Sequence, residues 1–207
     1  MKHVLWDWNG TLLDDTSAAL DTLNRMIARR GGKPITMDFY RDNFAFPVKP
    51  FYERIGIVIG NEDWDSVAIE YHDVYAAEPK ELNRDTLEAL ALVENAGARQ
   101  SIISALRQDL LEGELARRGL GGRFDHVCGV DNLDGAGKIS RALELRGMIA
   151  GDDAVVIGDA LHDKEVADAI GAKCVLCSQG SHSAGRLRKV APTGETLLEA
   201  VRIALAI

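Results

Sequence analysis

No apolar run in the sequence approaches the roughly 18 residues that a membrane-spanning helix needs, so neither a span nor a membrane partner is expected. Positive charge is in deficit: 24 Lys and Arg stand against 32 Asp and Glu, for a formal net charge of -8. With no dense Lys/Arg block, a nucleic-acid partner is disfavoured. The N-terminus enters an apolar strand-like run at once, without the charged and apolar regions of a signal peptide, which makes a cytoplasmic location the expectation. Cysteine is sparse. Cys128, Cys174 and Cys177 are an odd and small set, suited to a reducing compartment. Cys174 and Cys177 have C-x-x-C spacing but lie in the apolar run Lys173–Cys177, which reads as a strand. Residues three apart on a strand face opposite ways, so the pair should pack in the core rather than clip a metal or form a redox couple. Internal repeats and low-complexity segments are lacking as well.

What is present is a chain of 207 residues, 46% hydrophobic, enough for one α/β domain of ordinary size plus an insertion. Its organising stretch runs from Val4 to Asp14. An apolar run too short for a helix ends in Asp7, and Gly10 lets the chain bend, the pattern of a buried strand leading into a loop. Asp7 then stands at the carboxyl end of a strand, where open α/β sheets bind ligands. Leu20, Leu23 and Ile27 recur at helical spacing, with Asp15 or Thr16 as cap and Gly31-Gly32 as stop. From there to about residue 80 no strand alternates with helices. Prolines 34, 47 and 50 break aromatic-rich segments, and a helix follows around Trp64 to Tyr75, so residues 15–80 read as an inserted helical unit.

Beyond it, Asp85 and Glu88 occupy capping-box positions ahead of Leu87, Leu90 and Val93, with a stop at Gly97. A strand follows over Ser101–Ile103 and ends at Ser104. Next come a helix carrying Leu110, Leu111 and Leu115, a strand from His126 to Val130, and a helix from Lys138 with Ile139, Ala142 and Leu143 on one face. Ala154–Ile157 is the plainest buried strand and stops at Gly158-Asp159. A helix to Ile170, a strand to Cys177 and a terminal helix with Leu197, Val201 and Leu205 complete the chain. Strands alternating with helices predict a Rossmann-like parallel sheet with helices on both faces, built from residues 1–14 and 81–207.

Four polar features fall at strand ends or helix starts. Asp7 is the first. Ser104, with neighbouring backbone N–H groups such as that of Ala105, could hold a phosphate oxygen, or it is a helix cap. Lys138 stands at a helix start, unfavourable for a cation unless an anion faces it; otherwise it is a solvated surface lysine. Asp159 and Asp163 place two carboxylates four residues apart beside the place expected for Asp7, an arrangement that is costly unless a cation joins them. Together, in this order, these features resemble the four motifs of the haloacid dehalogenase-like hydrolases. The insertion after the first motif is similar to that of the branch containing phosphoglycolate phosphatase and β-phosphoglucomutase.

The resemblance implies a magnesium-dependent phosphatase acting on a small phosphorylated metabolite. Asp7 would be the nucleophile, forming an aspartyl-phosphate, with Lys138 pairing with Asp7 or the phosphoryl group. Asp7, Asp159, Asp163 and the backbone carbonyl of Asn9 would hold Mg2+, which prefers hard oxygen ligands. Thr11, Ser104 and Ala105 would bind substrate. Residues 15–80 would be a cap over the site, with Phe46 and Lys49 reaching the leaving group. One position departs from the family pattern: Asn9 stands where a second Asp serves as general acid and base. An amide cannot deliver a proton, and such catalysis is worth roughly 10²- to 10⁴-fold. Slow hydrolysis, proton transfer by Asp14, Asp15 or His162, or a phosphate-binding or regulatory protein without useful turnover are the readings left open. Hydrolytic dehalogenation would leave the Asp159/Asp163 pair unexplained.

Overall fold

The computed structural model describes residues 1–58, 60–133 and 135–207. Its central strand, β1 (Lys2–Trp6), buries Val4, Leu5 and Trp6 completely. Val4 and Trp6 join one apolar cluster and Leu5 another, because alternate side chains leave opposite faces of a strand. Burial on both faces is why this strand reads as continuously apolar rather than alternating.

The chain continues through β2 (Leu13–Asp14), α1 (Thr16–Arg29), α2 (Met37–Asn43), α3 (Val48–Arg54), α4 (Trp64–Ala77) and β3 (Glu81–Leu82). Then come α5 (Thr86–Asn95), β4 (Arg99–Arg107), α6 (Gln108–Arg117), β5 (Val127–Val130), α7 (Lys138–Met148) and β6 (Asp153–Gly158). The last elements are α8 (Leu161–Ala169), β7 (Lys173–Cys177), α9 (Ala184–Leu187), β8 (Thr193–Gly194) and α10 (Leu197–Ala206). Among the described residues the main sheet has the order β5-β4-β1-β6-β7-β8, and every neighbouring pair is parallel. One face is covered by α5, α6 and α10, through Leu90, Leu111 and Val201. The other is covered by α7 and α8, through Ala142, Leu145 and Val166. This is the Rossmann-like α/β arrangement expected from the alternation of elements.

Helices α1 to α4 share a cluster of their own, in which Leu23, Met26 and Ile27 meet Tyr40, Phe51 and Tyr52. They leave and rejoin the sheet domain through a small antiparallel ladder, Leu13 opposite Leu82 and Asp14 opposite Glu81. Two-residue strands carry no periodicity, so β2, β3 and β8 left no trace in the pattern of apolar residues.

Several local expectations need correction. Asp15 precedes α1 as its N-cap residue, but its side chain makes no capping bond. The Asp85 side chain caps nothing either; instead Thr86 Oγ1 donates to the Leu12 carbonyl at 2.8 Å, tying α5 to the first loop. Leu87 and Leu143 face solvent, and Leu90, Val93, Ala142 and Leu145 carry the buried stripes of α5 and α7. Strand β4 does not end at Ser104 but runs through it, with a register shift against β5 between Ile103 and Arg107. There Ser104 Oγ accepts the Leu106 N–H at 3.0 Å, a local bond that accompanies the irregular ladder. No helix among the described residues is long and apolar enough to cross a membrane.

Cys174 packs in the cluster under α7 and α8, and Cys177 in the cluster on the opposite face. Burial pushes the Cys177 thiol up to about 12 and raises Cys174 too. Iodoacetamide at pH 8 should therefore leave both unmodified in the folded protein, read by intact mass, while unfolding exposes all three thiols. Rapid labelling of either in the native state would overturn this placement.

Candidate active site

The site lies where the carboxyl ends of β1, β4 and β6 meet. The Asp7 N–H donates to the Ile157 carbonyl at 2.9 Å, carrying the pairing of β1 and β6 one residue past the strand. The chain then turns back, with the Leu13 N–H on the Trp8 carbonyl at 2.9 Å. Gly10 makes the turn with φ of +74°, and a Cβ there would overlap the Asp159 carboxylate. Gly158 is constrained likewise, since a Cβ on it would overlap Asp163. Close backbone approach at these two points gathers the carboxylates.

Asp7, Asp159 and Asp163 are all buried, and each offers an oxygen within 4.8 Å of the others. Lys138, the first residue of α7, donates to Asp7 Oδ1 and Asp163 Oδ1, both at 2.6 Å. Asp163 Oδ2 accepts the N–H groups of Asp159 and Ala160 at 3.1 and 3.0 Å, so both of its oxygens are engaged. Thr11 Oγ1 lies 3.2 Å from Asp7 Oδ2 and 3.4 Å from Asp159 Oδ1. The Ser181 N–H binds Asp159 Oδ2.

Three carboxylates thus face one ammonium, and the titration of the group reflects that imbalance. Burial, opposed by Lys138 and reinforced by the charge of Asp163, raises Asp7 to about 7. Burial and the charges of Asp7 and Asp163 hold Asp159 well above the usual carboxylate range. For Asp163 burial acts in the same direction, but the Lys138 contact outweighs it and the carboxyl falls below its ordinary value. Burial works against the Lys138 charge too, and its two carboxylate partners more than offset it. An all-oxygen donor set short of positive charge fits a hard divalent cation.

Beside Asp7 a second network surrounds Asn9. Its Nδ2 donates to Asp15 Oδ2 at 2.7 Å and to the Tyr75 hydroxyl oxygen at 3.0 Å. Asp15 also accepts the Gly10 N–H on Oδ1 at 2.6 Å and a short bond from the Tyr75 hydroxyl on Oδ2. Burial raises Asp15 above the usual carboxylate range. The sequence alone marks Asp15 only as a helix cap or a stand-in proton carrier. Tyr75, far along the sequence on α4, gave no sequence signal at all.

A cavity of about 140 Å³ opens from this cluster toward α1–α4. Asp7, Asn9, Lys138, Asp159, Asp163, Ala105 and Phe46 all line it, and Phe46 stacks on His162, with ring centroids 4.9 Å apart. Thr11 sits behind the carboxylates instead of on the cavity wall. Ser104 is fully buried and off the wall, which Ala105 and Leu106 form at that point. Lys49 is a correction. Its neighbour Val48 faces the cavity, and one step of about 100° around α3 turns Lys49 out to solvent, its ammonium 5.7 Å from the Trp64 ring centroid. Of the suggested proton carriers, Asp15 and His162 reach the cavity, while Asp14 is exposed on β2.

Solved structures share this fold. A predicted phosphatase from Clostridium acetobutylicum superposes with a TM-score of 0.79 at 18% identity, over 100% of this chain and 99% of its own. Protein tyrosine kinase A of Mycobacterium tuberculosis gives 0.79 at 21% identity, over 99% and 98% of the two chains. A predicted phosphoglycolate phosphatase from Haemophilus somnus gives 0.75 at 13%, over 98% and 97%. No curated protein matches the sequence. Residues 4–177 match the family described as haloacid dehalogenase-like hydrolase, a span that contains Asp7, Lys138, Asp159 and Asp163, and the chain belongs to that family.

Proposed function

We propose that the protein is a magnesium-dependent phosphatase that hydrolyses a small-molecule phosphate monoester through an aspartyl-phosphate on Asp7. The observation that carries this reading is the buried set Asp7, Asp159 and Asp163 around the single ammonium of Lys138. Asp7, Asp159 and the backbone carbonyl of Asn9 would hold the cation, which would offset the repulsion between a carboxylate and a phosphate dianion. Asp163, whose oxygens are occupied, is suited to orient Lys138 and a cation-bound water.

Asp7 attacks phosphorus as the ester P–O bond breaks, and the leaving oxygen takes a proton from solvent water, which is replaced by the proton that the attacking water gives up in the second step. Water then attacks the acyl phosphate, releasing phosphate and restoring the carboxylate. Lys138 holds Asp7 in place and answers the charge on the phosphoryl oxygens. Residues 15–80 act as the cap that closes over this chemistry, since the cavity wall is shared between them and the sheet domain.

A second reading rests on Asn9, whose amide supplies no proton: a phosphate-binding or regulatory protein with little turnover. Phosphate release from para-nitrophenyl phosphate separates the two. Release that rises with added Mg2+ and falls to background with EDTA supports the phosphatase. No release at any Mg2+ concentration, with inorganic phosphate still bound in calorimetry, favours the binding protein.

A further inference from the structure

Resting on the phosphatase reading, we infer that the leaving group of the substrate is an uncharged aromatic ring, and that it carries no second anionic group. Beyond the acidic groups, the cavity is walled by Tyr40, Phe44, Phe46, Tyr52 and Tyr71 together with Val48. Aromatic walls favour another ring in offset or edge-to-face contact.

Charge points the same way. Among the described residues, Lys138 is the only Lys or Arg on the wall, and it is committed to Asp7 and Asp163. A carboxylate or second phosphate on the leaving group would find no cation there and would face the buried carboxylate of Asp15. Both histidines on the wall are already engaged by partners of this chain. His72 Nε2 contacts the Leu133 carbonyl at 2.8 Å, and burial disfavours its charged form. His162 Nδ1 pairs with Glu165 at 2.8 Å while its ring lies against Phe46. Asp15 already accepts from the Gly10 N–H, Asn9 and Tyr75, so it is satisfied without a cationic substrate.

The test is calorimetric binding to an Asp7→Asn variant in Mg2+, with phenyl phosphate, 2-phosphoglycolate, phosphocholine and inorganic phosphate as probes, beside turnover of the same esters by the native chain. Phenyl phosphate should bind at least tenfold more tightly than either of the other esters. Adding Phe46→Ala should remove about tenfold of its affinity and leave that of inorganic phosphate unchanged. Equal or tighter binding of 2-phosphoglycolate or phosphocholine would overturn the inference, as would phenyl phosphate binding no better than inorganic phosphate. Preferential binding of phenyl phosphate without turnover by the native chain would sink the phosphatase reading and leave the ring preference standing.

Discussion

Asp7→Asn should abolish phosphate release, by more than about 10⁴-fold, and at the same time make the metal-free protein more stable at pH 8. The activity loss follows from removing the oxygen proposed to attack phosphorus while keeping the side chain's shape. The stability gain follows from the electrostatics. A buried carboxyl whose folded value is near 7 gives up its proton less readily than in the unfolded chain. Below about pH 4 the group is neutral in both states and native Asp7 costs nothing. As pH rises toward 7 the unfolded chain ionises first, so ionisation progressively favours unfolding. The amide escapes this cost, and Lys138 keeps its 2.6 Å contact with Asp163. Thermal unfolding of the two proteins should therefore differ by about 10 °C at pH 8 and converge near pH 4. A lower melting temperature for the variant at pH 8 would mean that the Lys138–Asp7 pair outweighs the burial of Asp7. Residual phosphate release above about one per cent of native would remove Asp7 from the nucleophile's place.

Asn9→Asp should raise turnover of a poor leaving group such as phenyl phosphate by about 10²-fold, and that of para-nitrophenyl phosphate by less. The native amide donates to Asp15 and Tyr75. A carboxylate in its place would lie against Asp15 Oδ2, and two carboxyls so close share a proton instead of both ionising. The proton kept there is the one that the native site lacks for the leaving oxygen. Folding stability should drop in exchange, because Asp15 loses one of its donors. Rates on both esters, with a pH profile of kcat/KM, check this. Unchanged or lower activity on phenyl phosphate, with the fold intact by circular dichroism, would show that proton supply does not limit the reaction.

How far the sequence spoke depended on how local the signal was. Asp7, Lys138 and Asp159 were legible because each follows an apolar run or opens a helix, so their convergence follows once the strands are parallel. The opposite facing of Cys174 and Cys177 was legible for the same reason, the two-residue period of a strand. Ser104 was misplaced because an irregular β4 carries the strand past it, and bulges leave no periodic mark. Lys49 was misdirected because segments broken by Pro47 and Pro50 show no facing in sequence, whereas one turn of α3 does. The Asn9–Asp15–Tyr75 network was hidden by distance, since α4 folds back on α1 only through tertiary packing.

The small ladder of β2 and β3 has a topological consequence. The chain departs at Asp14 and returns beside it at Glu81, so everything between is, for the sheet, a single loop with its ends already fastened together. Closure entropy grows only with the logarithm of loop length. The sheet therefore tolerates wide variation in what that loop contains, while the carboxylates stay where β1 and β6 put them.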